Sequence, residues 1–248
     1  MDKKMIGLAA LVVAIIVAAA LFVATGEING AASLFGSGLS NNGLEMLQFG
    51  KNLDIWFMLM LVAFLMIFIR KFEWGVCLAV LLSAAGSFVI YLALMTMVPI
   101  NGEVLATQWT QGLLIQAVIC AITVVIAIGV FLGTCKMWQY FLVGVLFAFV
   151  YYVVEAVFIY DHLGFIAGIF GGVATDPGGS ILVHMCAAYF GLGVALGIRE
   201  KRAFNEPMYT TTHSVTFVWL ASMLLWMLWP SFVTPLMGDP ASITWGTV

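Results

Sequence analysis

The sequence has very little charge. Only 8% of its 248 residues are Asp, Glu, Lys or Arg, against about 25% in an ordinary soluble domain. The apolar fraction is 64% and the mean hydropathy is +1.13. A water-soluble globule is excluded, and the chain reads as an all-α polytopic membrane protein whose solvent is the bilayer. The net charge of −3 gives no reason to expect a nucleic-acid partner. Cysteine is scarce: Cys77, Cys120, Cys135 and Cys186 show no C-x-x-C spacing, which argues against a disulfide framework or a zinc site. Histidine is scarcer still. His162 and His213 lie near loops, so no metal cluster forms and no cofactor is expected. No P-loop, H-E-x-x-H or nucleophile elbow is present, so enzyme chemistry is not the expectation.

What the sequence does have is long apolar runs. Ile6–Thr25 is about the length that crosses a membrane core, and residues 1–25 are either a retained first helix or a signal-like segment. Gly26–Lys51 reads as a Gly/Ser/Asn-rich loop. Further spans are expected at Leu53–Ile69, Trp74–Val98, Gln111–Gly133, Met137–Tyr160, Ser180–Ile198 and Ser214–Leu236, about seven spans in all. Asp54 reads as a helix-end cap or anchor. Residues 1–248 form a single membrane domain, and the short joints at Arg70–Trp74 and Thr134–Lys136 make their flanking helices antiparallel neighbours. With the N-terminus cytoplasmic, eight of the nine Lys and Arg residues fall on the inner side and only Lys51 outside, which fixes one orientation.

Two ionisable residues sit inside apolar spans. His184 lies in Asp176–Gly197, where Asp176 suits a helix N-cap and Pro177 the first helical position. On α-helical spacing Ser180, Ala187, Ala188, Gly191 and Ala195 share its face, all small. That face either packs closely on another helix or lines a narrow passage. Glu155 lies near the outer end of its span. A carboxylate at a helix C-terminus opposes the dipole, so it needs a partner, as a structural anchor or as a functional group. An intramembrane enzyme using His184 with Asp176 or Glu155 is a weak reading, because Asp176 lies roughly 12 Å along the same helix at about 1.5 Å per residue.

The stretch D-x-G-G-S-x-x-x-H-x-x-x-A-Y-F-G-L, from Asp176 to Leu192, resembles a motif of the Rh branch of the ammonium transporter/Rh family. Leu225-Trp226-Met227-Leu228-Trp229-Pro230-Ser231-Phe232 is similar to a second Rh motif, in the family's order and near its spacing. Phe64-Leu65-Met66-x-Phe68 and Glu155-Ala156-Val157-Phe158 resemble family patterns more weakly. The likeness runs from about Leu47 to Phe232 and implies the first inverted repeat of that fold plus the following helix.

Members of the family fold as two inverted five-helix repeats around a pore, form trimers, and move ammonia or ammonium. The resemblance implies that His184 is the first of two pore histidines and Phe232 an aromatic of the outer entrance. It implies a structural role for Asp176 and the family's acidic position for Glu155. The other gating phenylalanine falls at Ile119, and the neighbouring acidic position at Val118, so an aromatic face is lost there. The second histidine belongs to a repeat that Val248 precedes. The expectation is an ammonium/ammonia facilitator of the plasma membrane, as a fragment or half. It would work as a homo-trimer if complete, or with a missing second-half chain. The alternative is a non-conducting interaction or regulatory subunit.

Overall fold

A computed structural model describes residues 39–69, 74–100, 103–172, 176–199 and 211–236. Among these, α1 (Leu39–Ile69), α2 (Trp74–Met97), α3 (Gln111–Ile128) and α4 (Met137–Phe158) come first. The short α5 (Phe165–Phe170) follows. A π-helical turn over Ser180–Met185 then runs into α6 (Cys186–Ile198), and α7 (Thr212–Val233) closes the series. A two-residue ribbon, β1 (Pro99–Ile100) against β2 (Glu103–Val104), is antiparallel. Six of the described helices are long and apolar enough to cross a membrane, close to the spans expected from the sequence. Residues 1–25, proposed as a first helix or signal-like segment, lie outside the described residues.

α3 is the hub. It is apolar all round and 72% of its span is buried, packed on α1, α2 and α6. With no hydrophobic force between helices in lipid, close packing falls to small residues. A Cβ on Gly144 of α4 would collide with the Ser83 carbonyl of α2, and one on Gly191 of α6 with the Ala127 carbonyl of α3. Ser83, Ser87 and Thr123 hide their hydroxyls by bonding carbonyls of their own helices, so these three sit buried with their donors satisfied. The turn after α3 is closed by Tyr140, whose hydroxyl donates to the Phe131 carbonyl at 3.0 Å and accepts from the Gly133 amide at 2.8 Å.

The loop expected to run to Lys51 is helical from Leu39. Its polar residues have partners on other elements. The Glu45 carboxylate accepts from the Gln111 amide at 3.0 Å. Gln48 donates to the Pro235 carbonyl at 3.1 Å, and Asn52 to the Gln111 side chain at 2.9 Å. Asp54 therefore stands in mid-helix and caps nothing; it accepts from the Ser231 hydroxyl of α7 at 2.6 Å. The expected span to Gly133 becomes a helix to Ile128 followed by turns.

Candidate functional site

A cleft of about 670 Å³ opens where the ends of α3 and α4 meet the start of the π turn and the end of α7. Ile119 and Gln116 come from α3, Tyr151 and Glu155 from α4, and Phe232 from α7. Asp176 and Gly179 bring the loop before the π turn to the same wall. Four expected site residues, Ile119, Glu155, Asp176 and Phe232, thus share one cavity. His184 does not line it.

Asp176 does cap a helix, from farther out than expected. Helical bonding starts at Ser180, after Gly179 in the left-handed region (φ 67°), so Pro177 precedes the helix and is not its first residue. The carboxylate still reaches three amides, accepting from Ser180 at 2.7 Å and from Ile181 and Leu182 at 2.9 Å. Three of the four N–H groups that a helix start leaves unpaired are thereby satisfied by one side chain.

The π turn also divides the small face expected around His184. Its wider ring of bonds rotates the following residues relative to an α-helix. Ala187, Gly191 and Ala195 are buried, with Gly191 against α3, whereas His184, Ser180 and Ala188 stay exposed. The small residues pack one side of the helix and the imidazole looks out from another. Its ring centroid is 6.3 Å from that of Trp229, at 31°. Trp229 stacks in turn on Phe232 at 5.2 Å and 28°. An aromatic ladder thus leads from the histidine to the cleft wall.

Glu155 is 2% exposed, and its carboxylate accepts from the Tyr91 hydroxyl at 2.5 Å. The sequence called for a partner without naming one. The partner is a phenol that is itself wholly buried on α2. Tyr91 meets Tyr151 edge to face at 5.5 Å, so the carboxylate sits among aromatic rings. Sequence reasoning passed over Tyr91, because nothing local marks a tyrosine 64 positions from its acid. At the rim, Gln116 donates to the Tyr160 hydroxyl at 2.6 Å. Ile119 is aliphatic and mostly buried, and Val118 beside it is wholly in the core. At these two positions the side chains are aliphatic, and no carboxylate occurs at Val118. Among the described residues no group of three or more His, Cys, Asp or Glu could hold a metal.

These features define an integral membrane protein of spanning helices, with a cleft at one end whose wall joins a carboxylate, an amide and aromatic rings. The chain belongs to the ammonium transporter family: the sequence profile described as Ammonium Transporter Family matches residues 44–235. Rhesus-like glycoprotein B of Dictyostelium discoideum is 31% identical over 140 residues, covering 54% of this chain and 21% of that protein. Ammonium transporter Rh type C-like 2 of Danio rerio is 33% identical over 124 residues, 48% of this chain and 23% of its own length. Among solved structures, Rh50 of Nitrosomonas europaea, from the Rhesus protein family of channels, superposes with a TM-score of 0.69 at 29% identity. That match covers 82% of this chain and 52% of Rh50. The chain therefore spans about half of this solved relative and less of the curated ones.

Proposed function

We propose that this chain forms one half of a path for ammonia or ammonium across a membrane, with His184, Phe232 and Ile119 on its wall. The observation that carries this reading is His184: an ionisable ring on a membrane-spanning segment, exposed and in line with Trp229 and Phe232. An imidazole facing lipid is unfavourable, so its face calls for a lumen or a covering set of helices. In a lumen it offers a donor or acceptor to ammonia and can relay a proton. Stripping an ion of water in an apolar pore is costly, which favours a small neutral amine over hydrated potassium or sodium. Aromatic faces at the mouth can hold the cation before it loses its proton. Glu155 gives the cleft wall a polar group, and Asp176 holds the start of the histidine helix.

The path is completed by a second set of helices over the His184 face, supplied by further sequence or by another chain. Where further sequence supplies those helices the assembly is a homo-trimer, and in either case it lies in the plasma membrane with the N-terminus cytoplasmic. The test is ammonia flux, followed by internal pH, into proteoliposomes containing the chain together with the second set of helices. His184→Ala should alter the flux at least tenfold. Unchanged flux in an active assembly removes His184 from the path. No flux at all, with co-purification of full-length relatives, favours the non-conducting subunit.

A further inference from the structure

We propose that Asp54 is a positioning residue for the cleft mouth: through Ser231 it fixes the last turn of α7, hence the place of Phe232 and the size of amine admitted. The inference rests on the reading of Phe232 as a path-lining residue.

α7 is the least supported span. Only 17% of it is buried, and it packs on α1 with no comparable contact to another described helix. Near its end stands Pro230, inside the helix. Proline has no N–H, so the bond to the Trp226 carbonyl is missing and the turn beyond it is loosened from the rest of the helix. That turn carries Phe232 into the cleft.

What holds it is α1. Ser231 is 8% exposed and donates to the Asp54 carboxylate at 2.6 Å, and the Pro235 carbonyl accepts from Gln48 at 3.1 Å. The other hydroxyls along α7 behave differently. Thr216, Ser222 and Thr234 each bond the carbonyl four residues back on the same segment. Ser231, one residue past the proline, is bonded across to α1. A hydrogen bond to a charged group is stronger than one between neutral partners, and a carboxylate within an apolar span needs such a partner. Asp54 and Gln48 are six positions apart on α1, so the loosened turn is held at two heights. Ile119 lies in the wall of the same cleft as Phe232. Moving the Phe232 ring therefore changes the clearance available to a substrate.

The experiment uses the full chain labelled with 5-fluorotryptophan, with the Trp229 resonance assigned by Trp229→Phe. Asp54→Ala and Ser231→Ala should each shift or broaden that resonance. Asp54→Asn keeps an acceptor oxygen and should restore it, and Ser222→Ala, on the same helix, should leave it alone. In proteoliposomes the first two variants should change the methylammonium-to-ammonia flux ratio at least threefold, and Asp54→Asn should return it to the wild-type value. An unmoved Trp229 resonance in both alanine variants overturns the clamp. A moved resonance with an unaltered ratio overturns the size-selecting role. If the wild-type assembly with the second set of helices carries no flux, the transport reading fails, and the resonance still decides whether Asp54 places the turn. Should Asp54→Ala fail to fold, Ser231→Ala carries both readouts.

Discussion

The imidazole of His184 and the indole of Trp229 face each other across two helices, centroids 6.3 Å apart and planes 31° apart. Trp229 also stacks on Phe232, so one ring bridges the histidine and the cleft. A cation is attracted to an aromatic face by about 0.5–2 kcal/mol, roughly a two- to thirtyfold change in occupancy. Trp229→Leu keeps apolar bulk and removes that face. It should lower methylammonium uptake several-fold and affect ammonia flux less, as measured by radiolabelled uptake beside stopped-flow pH change.

How much of this was legible in the sequence follows from what each signal depends on. Six of the spans were, because long apolar runs in a chain this poor in charge read as membrane helices, whereas Ile6–Thr25 had two readings and lies outside the described residues. The start of α1 was not. Glu45, Gln48 and Asn52 look like loop residues until their partners Gln111 and Pro235 arrive from elsewhere in the chain. Asp54 was misplaced as a cap for the same reason, since Ser231 is 177 positions away. The small face around His184 was expected to pack on a helix or line a passage, and only Ala187, Gly191 and Ala195 are buried, with Ser180 and Ala188 exposed. That common face was computed on α-helical spacing, and the π turn at Ser180–Met185 breaks that spacing. Asp176 stood out as a cap because aspartate before a Gly-rich helix start is a local signal.

Tyr91→Phe should be costly for folding. It leaves the buried Glu155 carboxyl without its hydroxyl donor, and an unmet buried polar group costs about 1–3 kcal/mol. Unfolding in detergent by urea titration reads this directly. Replacing both partners, Tyr91→Phe with Glu155→Leu, should recover part of the loss. A double variant weaker than the sum of the single ones would contradict the pairing.

Asp176→Ala removes the acceptor for three amides at the start of the histidine helix. The loss of a single cap costs about 0.5–2 kcal/mol, and this side chain meets three donors, so a value at or above the top of that range is expected. Asp176→Asn retains an acceptor oxygen and should lie between the two. Amide hydrogen exchange should locate the effect: Ser180, Ile181 and Leu182 lose protection first, while amides in the middle of α3 remain protected.

Gly191→Leu tests whether α6 must touch the backbone of α3. The Gly191 position faces the Ala127 carbonyl and the side chain of Val130, with no room for a side chain. Overpacking of this kind costs about 1–3 kcal/mol, and more where the obstruction is backbone. Gly193, two positions on, has open space around it and is exposed. Gly193→Leu on the same helix should therefore be near neutral. The contrast between the two leucine variants in thermal unfolding separates helix contact from a general loss of glycine. If both melt alike, α6 does not pack on α3 through Gly191, and the outward placement of His184, which follows from that contact, falls with it.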